Sequence, residues 1–231
     1  MYLRNIILFH LKEELFKKNK MKYQKEKLKI KFEGYDTFDE NNSQAAQDLF
    51  VLMCLNGKKN GSFLDLGCND PIQISNTYLL ESKFDWNGVG MDIDSNHIAK
   101  YDNIRKCKAY VQDATQINFD EVLKNYDSNH IDYLSLDLEP ADVTLECLKK
   151  IPFDKVEFSV ITFEHDSYRF GEYCRDISRM IFEGAGYVRI CSDVSNVYNI
   201  YEDWYYNPKY VNYEDIKILE SDRKEWSDIV Y

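Results

Sequence analysis

Short apolar runs alternate along this chain with stretches whose apolar residues recur at helical spacing. Ser62 to Leu66, Gly88 to Met91, Ala109 to Val111, Ile131 to Leu136, Val156 to Phe163 and Tyr187 to Ile190 each read as a strand of the buried type. Gln44 to Leu55, Asn76 to Lys83, Phe119 to Asn125, Val143 to Lys149 and Glu172 to Glu183 carry the helical period and fill gaps between them. This alternation predicts an α/β fold with a parallel sheet and right-handed crossovers. In such sheets ligands bind beyond the carboxyl ends of the strands, so the residues just after each apolar run carry the functional information.

The length, 231 residues, suits one such domain, and 44% hydrophobic with 15% aromatic residues is enough for its core. No apolar run approaches the roughly 18 to 20 residues of a membrane span, so no transmembrane segment is expected. Cys54, Cys68, Cys107, Cys147, Cys174 and Cys191 are far apart, without metal-binding spacing or a secretory leader, which predicts reduced thiols in a cytoplasmic protein.

Charge is unevenly placed. Residues 1 to 32 hold ten Lys or Arg against three Glu, a net of +7, which leaves −18 for the remainder of a chain whose total is −11. The body is expected to repel nucleic acid. Residues 1 to 40 read as a basic helical extension, with residues 41 to 231 as the main domain. From Lys12 to Lys31 the favoured expectation is a helix with a solvated lysine face, the alternatives being contact with an anionic membrane or with a partner. Ile6, Ile7, Leu8, Leu11, Leu15 and Phe16 give the extension an apolar side, to be buried on this domain, on a second copy in a homodimer or on another partner.

The positions after the strands are acidic. Leu64-Asp65-Leu66-Gly67-Cys68-Asn69-Asp70 follows the first strand with a single glycine, where a dinucleotide site has Gly-x-Gly-x-x-Gly to pack a pyrophosphate on a helix N-terminus. Carboxylates there favour a cationic ligand. S-adenosylmethionine fits, with a positive amino group and sulfonium and with ribose and adenine groups that need acceptors. Asp92, ending Gly88-Val89-Gly90-Met91-Asp92, lies at the spacing that reaches ribose hydroxyls, and Gln112-Asp113-Ala114 offers an acceptor to the adenine amino group. Asp is also common in turns and caps, so the weight rests on Asp65, Asp92 and Asp113 occurring in order after three strands.

Beyond the first loop the sequence resembles the FkbM-type methyltransferase family. The resemblance is carried by Ser43-Gln44-Ala45-Ala46-Gln47-Asp48-Leu49-Phe50, by Phe63 to Asp70 through Ser75-Asn76-Thr77 to Leu80-Glu81, and by Trp86-Asn87-Gly88-Val89-Gly90-Met91-Asp92. Two later blocks, Ile131-Asp132-Tyr133-Leu134-Ser135-Leu136-Asp137-Leu138-Glu139 and Val160-Ile161-Thr162-Phe163-Glu164-His165-Asp166, are its most specific part. The resemblance implies a class I methyltransferase, Rossmann-like fold, with a mostly parallel seven-stranded sheet and helices on both faces. It further implies methyl transfer from S-adenosylmethionine to a hydroxyl of a sugar or glycan. The cofactor is then expected at Asp65, Gly67, Asn69, Asp70, Asn76, Thr77, Asp92, Ile93, Asp113, Ala114 and Asp137. After Glu139 the family usually has Gly; Pro140-Ala141-Asp142 stands here and stiffens the loop.

Methyl transfer to oxygen requires the acceptor to be held in line and to lose a proton. Catalytic candidates are Asp137 and Glu139 in one loop and His165 in the next, with His165 as general base because imidazole titrates near neutrality. A structural hydrogen bond at a strand end is the other reading of His165. A second mechanism places Mg²⁺ or another divalent cation on Asp137, Glu164 and Asp166 to acidify the hydroxyl. Tyr198, Tyr201, Trp204, Tyr205, Tyr206, Tyr210 and Tyr213 are candidates for a sugar-stacking wall or for the last strand and a dimer contact. Two rivals remain: a non-catalytic S-adenosylmethionine-binding module, and a nucleotide-cofactor oxidoreductase, which Cys68, Asn69 and Asp70 in place of further loop glycines disfavour.

Overall fold

The computed structural model describes residues 27–32, 41–196 and 198–231, and in them one sheet has the strand order β3-β2-β1-β4-β5-β7-β6-β8. The strands are β1 (Ser62–Leu66), β2 (Asn87–Asp92), β3 (Lys108–Val111), β4 (His130–Leu136), β5 (Glu157–Glu164), β6 (Val188–Ser195), β7 (Ile200–Tyr206) and β8 (Ser221–Asp222). β1 to β5 run parallel, and β7 lies antiparallel between β5 and β6. The sheet exceeds the expected seven strands by β8, two residues pairing with β6. Strand order reverses between β1 and β4, the switch point where an open sheet leaves a crevice at its carboxyl edge.

Helices cover both faces because the central strands are apolar on both. On one face α1 (Gln47–Cys54), α2 (Tyr78–Phe84) and α3 (Ser95–Ile104) pack through Phe50, Leu80, Phe84 and Tyr101 onto Phe63, Tyr133 and Trp204. On the other, α4 (Phe119–Leu123), α5 (Ala141–Leu148) and α7 (Tyr173–Gly184) pack through Val122, Leu145 and Phe182 onto Leu64, Leu134 and Phe163. Aromatic pairs join helix to sheet in both layers, Phe50 with Trp204 at 4.5 Å and Phe182 with Phe163 at 5.6 Å. A single turn, α6 (Ser167–Phe170), follows β5, and α8 (Tyr213–Ile216) and α9 (Trp226–Val230) close the chain.

Three of the departures from the expectation have a local reason. α1 starts at Gln47 instead of Gln44, since Ala46 takes a left-handed conformation (φ 58°) and Gln47 Oε1 accepts the Ala45 N–H at 2.8 Å. α3 was not foreseen: of its ten residues only Ile98 and Tyr101 are buried, too few for a periodic apolar stripe. β6 continues past Ile190 through register shifts around Asp193 (φ 53°), which break the alternation that marks a strand.

The apolar side expected from Ile6 to Phe16, and most of the predicted N-terminal helix, lie outside the described residues. Residues 27–32 are not helical. There the Lys29 N–H donates to Val230 O at 2.9 Å, Leu28 and Phe32 are buried, and Phe32 meets Phe84 edge-on at 6.0 Å. This part of the expected extension therefore belongs to the body's core. Among the described residues no helix is long and apolar enough to cross a membrane.

Candidate functional site

The loop after β1 turns at Gly67 (φ 93°), whose Asp137-facing side is so close to the β4 loop that a Cβ would stand 1.8 Å from Asp137 O. Only glycine permits that approach. The Asn69 N–H donates to Asp92 Oδ2 at 2.9 Å and ties the first two loops together, while within the second loop the Asp94 N–H donates to Asp92 Oδ1 at 2.8 Å. Each Asp92 oxygen retains a second lone pair for hydroxyl donors. Asp70 is turned instead to its own loop and to Lys100 Nζ at 3.0 Å.

Ile93 is 76% exposed directly after Asp92, an apolar surface next to an acceptor. Asp113 caps the turn Ala114–Gln116 through Thr115, using one carboxylate oxygen, while Ala114 is buried. Asp65, Asn76 and Thr77 lie beneath the crevice. Thr77 Oγ1 donates to Asp65 Oδ2 at 2.8 Å and Asn76 Nδ2 to Ser135 Oγ at 3.0 Å, whereas Asn76 Oδ1 is buried without a donor. Burial pushes Asp65 up to about 6 against the opposing pull of Thr77, Ser135 and Arg105.

Strand alternation sorts the later candidates. Asp65 of β1, Ser135 of β4, Thr162 and Glu164 of β5, and Glu202 of β7 share the α1 face, with Asp137 following β4. Glu164 and Glu202 are register partners across β5 and β7, and Gln47 Nε2 of α1 donates to Glu202 Oε2 at 3.0 Å. Glu164 is driven well above the usual carboxylate range by burial, then by the charge and hydrogen bond of Asp137. Burial, with Asp137 adding, pushes Glu202 up to about 8. Glu139 stands exposed, with Arg169 Nη1 of α6 at 3.7 Å.

His165, one residue beyond Glu164, goes to the opposite face and is fully buried. Its Nδ1 accepts the Ser167 N–H at 3.2 Å, so a neutral ring carries its proton on Nε2, which points toward Asp203 Oδ1 at 3.7 Å and Asp193 Oδ1 at 4.0 Å. No lone pair faces the crevice, which corrects the expectation of His165 as general base. Around it Arg179 binds Asp203 through Nε at 2.7 Å and Nη2 at 2.8 Å, and the same Nη2 reaches Asp193 at 2.6 Å.

The expected cation ligands come together only in part, Glu164 with Asp137, and do not form a set of three. Among the described residues, His165, Asp193 and Asp203 form the group with ligand atoms within 4.8 Å of one another, not Asp137, Glu164 and Asp166. In that group Arg179 already supplies the positive charge. Of the two readings of the tyrosine-rich segment, the last strand holds for Tyr201, Trp204, Tyr205 and Tyr206, which are buried in β7, and Tyr210 stacks on His130 at 3.8 Å by the opposite edge of the sheet. Tyr198, 86% exposed in the β6–β7 turn, remains at the carboxyl edge, and Tyr168 and Phe170 of α6, which the sequence pattern did not mark, stand exposed beside β5.

The fold is similar to that of known structures. A protein described as an rRNA methylase from Clostridium thermocellum is similar with a TM-score of 0.50 at 15% identity, over 71% of this chain and 97% of that one. This chain has the class I methyltransferase fold. The crevice at the β1–β4 switch point is where an open sheet of this kind leaves room for a ligand, and Asp65, Asp92 and Asp137 all border it. An S-adenosylmethionine-dependent methyltransferase from Aquifex aeolicus (TM-score 0.46, 13% identity, 71% and 93% covered) and the N-methyltransferase NodS from Bradyrhizobium japonicum (0.46, 14%, 74% and 99%) are also similar. No protein-family model and no curated protein matches the sequence.

Proposed function

We propose that the chain is an S-adenosylmethionine-dependent O-methyltransferase of the FkbM type, acting in the cytoplasm on a hydroxyl of a sugar or glycan. The observation that carries this reading is Asn76 Oδ1, a buried acceptor without a donor, held by Ser135 beneath a switch-point crevice that Asp65, Asp92 and Asp137 border in a methyltransferase fold. An orphaned acceptor of this kind costs roughly 1 to 3 kcal/mol, which a ligand with an ammonium group relieves.

The residues fit such a ligand. Asp92 accepts from ribose hydroxyls, Ile93 lies against the adenine face, and Asp113 with Ala114 lines the adenine edge. When bound, the cofactor supplies an activated methyl carried on a sulfonium. Asp137 and Glu164 stand at the ends of adjacent strands, where the acceptor hydroxyl is to be held and deprotonated. Tyr168, Phe170 and Tyr198 offer exposed rings at this edge for sugar faces.

The test is incubation with methyl-labelled S-adenosylmethionine and a panel of free sugars, oligosaccharides and lipid-linked saccharides. Label that enters a saccharide and survives mild alkali, as a methyl ether does and a methyl ester does not, is the expected result. Transfer to amines or carboxylates, with none to hydroxyls, overturns the acceptor class.

A further inference from the structure

The loop between β1 and α2 holds its shape with a single glycine, Gly67. Asn69 (φ 47°) and Ile74 (φ 51°) both take the left-handed conformation, which is strained for a β-branched residue such as Ile74 and persists only when its surroundings hold it. Those surroundings come largely from α3. Tyr101 Oη donates to Cys68 O at 2.8 Å, and Lys100 Nζ donates to Asp70 Oδ2 at 3.0 Å. Arg105, just past the end of α3, takes the rest of the loop.

The Arg105 side chain is fully buried. Its Nη1 donates to Pro71 O at 3.0 Å and to Ser75 Oγ at 3.3 Å, and its Nη2 to Thr77 Oγ1 at 3.1 Å. The planar fork thus spans both sides of Ile74 and both sides of Asn76. Thr77 Oγ1 gives its own hydrogen to Asp65 Oδ2, which links the guanidinium to β1. On the other side Nε stands 3.1 Å from Glu81 Oε1, and Glu81 accepts the Lys106 and Cys107 N–H groups at the head of β3. Phe63, Tyr78 and Tyr101 surround the guanidinium carbon, with ring centroids at 5.9, 5.6 and 5.3 Å. Enclosed in this way, Arg105 acts on the crevice only through the residues it holds.

Resting on the methyltransferase reading, we propose that Arg105 is a positioning residue for the amino-acid end of the methyl donor. It fixes the stretch from Pro71 to Thr77, so that Asn76, anchored to Ser135 through Nδ2, presents its unmatched Oδ1 to the donor's ammonium group. The adenosine end rests on Asp92 and Ile93, which Arg105 does not touch. Loss of the guanidinium therefore weakens recognition of one end of the donor and spares the other.

Calorimetric titration with two ligands reads the ends separately. S-adenosylhomocysteine has both, and 5′-methylthioadenosine keeps the adenosine and the thioether but lacks the amino-acid end. The wild type is expected to bind S-adenosylhomocysteine about tenfold or more tighter than the truncated ligand, the scale of one satisfied buried acceptor. Arg105→Lys keeps a cation opposite Glu81 but cannot span three acceptors, so it is expected to lose about tenfold for S-adenosylhomocysteine and less than about twofold for methylthioadenosine. Thr77→Val, close in size, cuts the link from Nη2 to Asp65 and is expected to show the same selective loss on a smaller scale. Circular dichroism checks that each variant is folded. A purely structural role would weaken both ligands alike, and equal losses in a folded variant overturn the proposal, as does no loss for either ligand. Equal affinity of the wild type for the two ligands also overturns it, and this comparison requires no variant to fold. Failure of both ligands to bind folded wild type removes the methyltransferase reading instead, and the proposal with it.

Discussion

Arg179 sits where two aspartates meet, and the stability of that corner depends on it. Asp203 is fully buried, and although burial works to raise it, the Arg179 guanidinium holds it well below the usual carboxylate range. Removing one partner of a buried pair leaves the other charge uncompensated, at about 3 to 5 kcal/mol. Arg179→Ala is therefore expected to lower stability by that order in urea unfolding, and Arg179→Lys to recover only part, since an ammonium cannot bind Asp203 through two nitrogens. A loss under 1 kcal/mol in Arg179→Ala would show that solvent replaces the guanidinium. At this scale the sequence was legible in the placing of Asp65 and Asp92, which follows from their positions near the carboxyl ends of strands. It misled at His165, because adjacency in sequence hides that neighbours in a strand face opposite sides, and Arg179, which pairs with the aspartates beside it, comes from another element, α7.

Whole elements were legible when their apolar pattern was complete. β1 was read to the residue, whereas α3 was missed because most of its surface is solvated and its start is marked only by Asp94 capping the Asn96 N–H at 2.8 Å. β7 was obscured by its own composition: a run of rings with polar tips suits a binding wall as well as a buried strand, and only the pairing with β5 and β6 decides between them. The segment 27–32 belongs here too. Phe32 packs on Gly57 and Phe84, so Phe32→Ala is expected to cost about 3 kcal/mol, the lower end for a buried ring. Limited proteolysis should then cut the chain before residue 41 sooner than in the wild type; an unchanged cleavage rate would mean that the segment contributes little to the core.

For the molecule as a whole, the buried carboxyls of the crevice make stability depend on pH. Glu202 rises from an ordinary value of 4.5 to about 8 in the folded protein. Between those values the folded state binds more protons than the unfolded state, so the contribution of Glu202 is fully present below about pH 4.5 and is lost as pH rises through about 8. Glu202→Gln keeps a partner for Gln47 and should flatten this part of the profile of melting temperature against pH; an equally steep fall in the variant would assign the slope to other groups. The topology itself was legible as an alternating sheet, since each strand and crossover leaves a local signature. The placing of β7 between β5 and β6 was not, because nothing local to a strand specifies its neighbour.

The central claim is that the crevice at the β1–β4 switch point binds S-adenosylmethionine through Asp92. Calorimetric titration of S-adenosylhomocysteine into wild type and Asp92→Ala tests it most directly. The account predicts micromolar binding to the wild type and a loss of about tenfold or more in the variant, the scale of a lost charge-assisted hydrogen bond. No binding to folded wild-type protein, or equal binding by the variant, would contradict it.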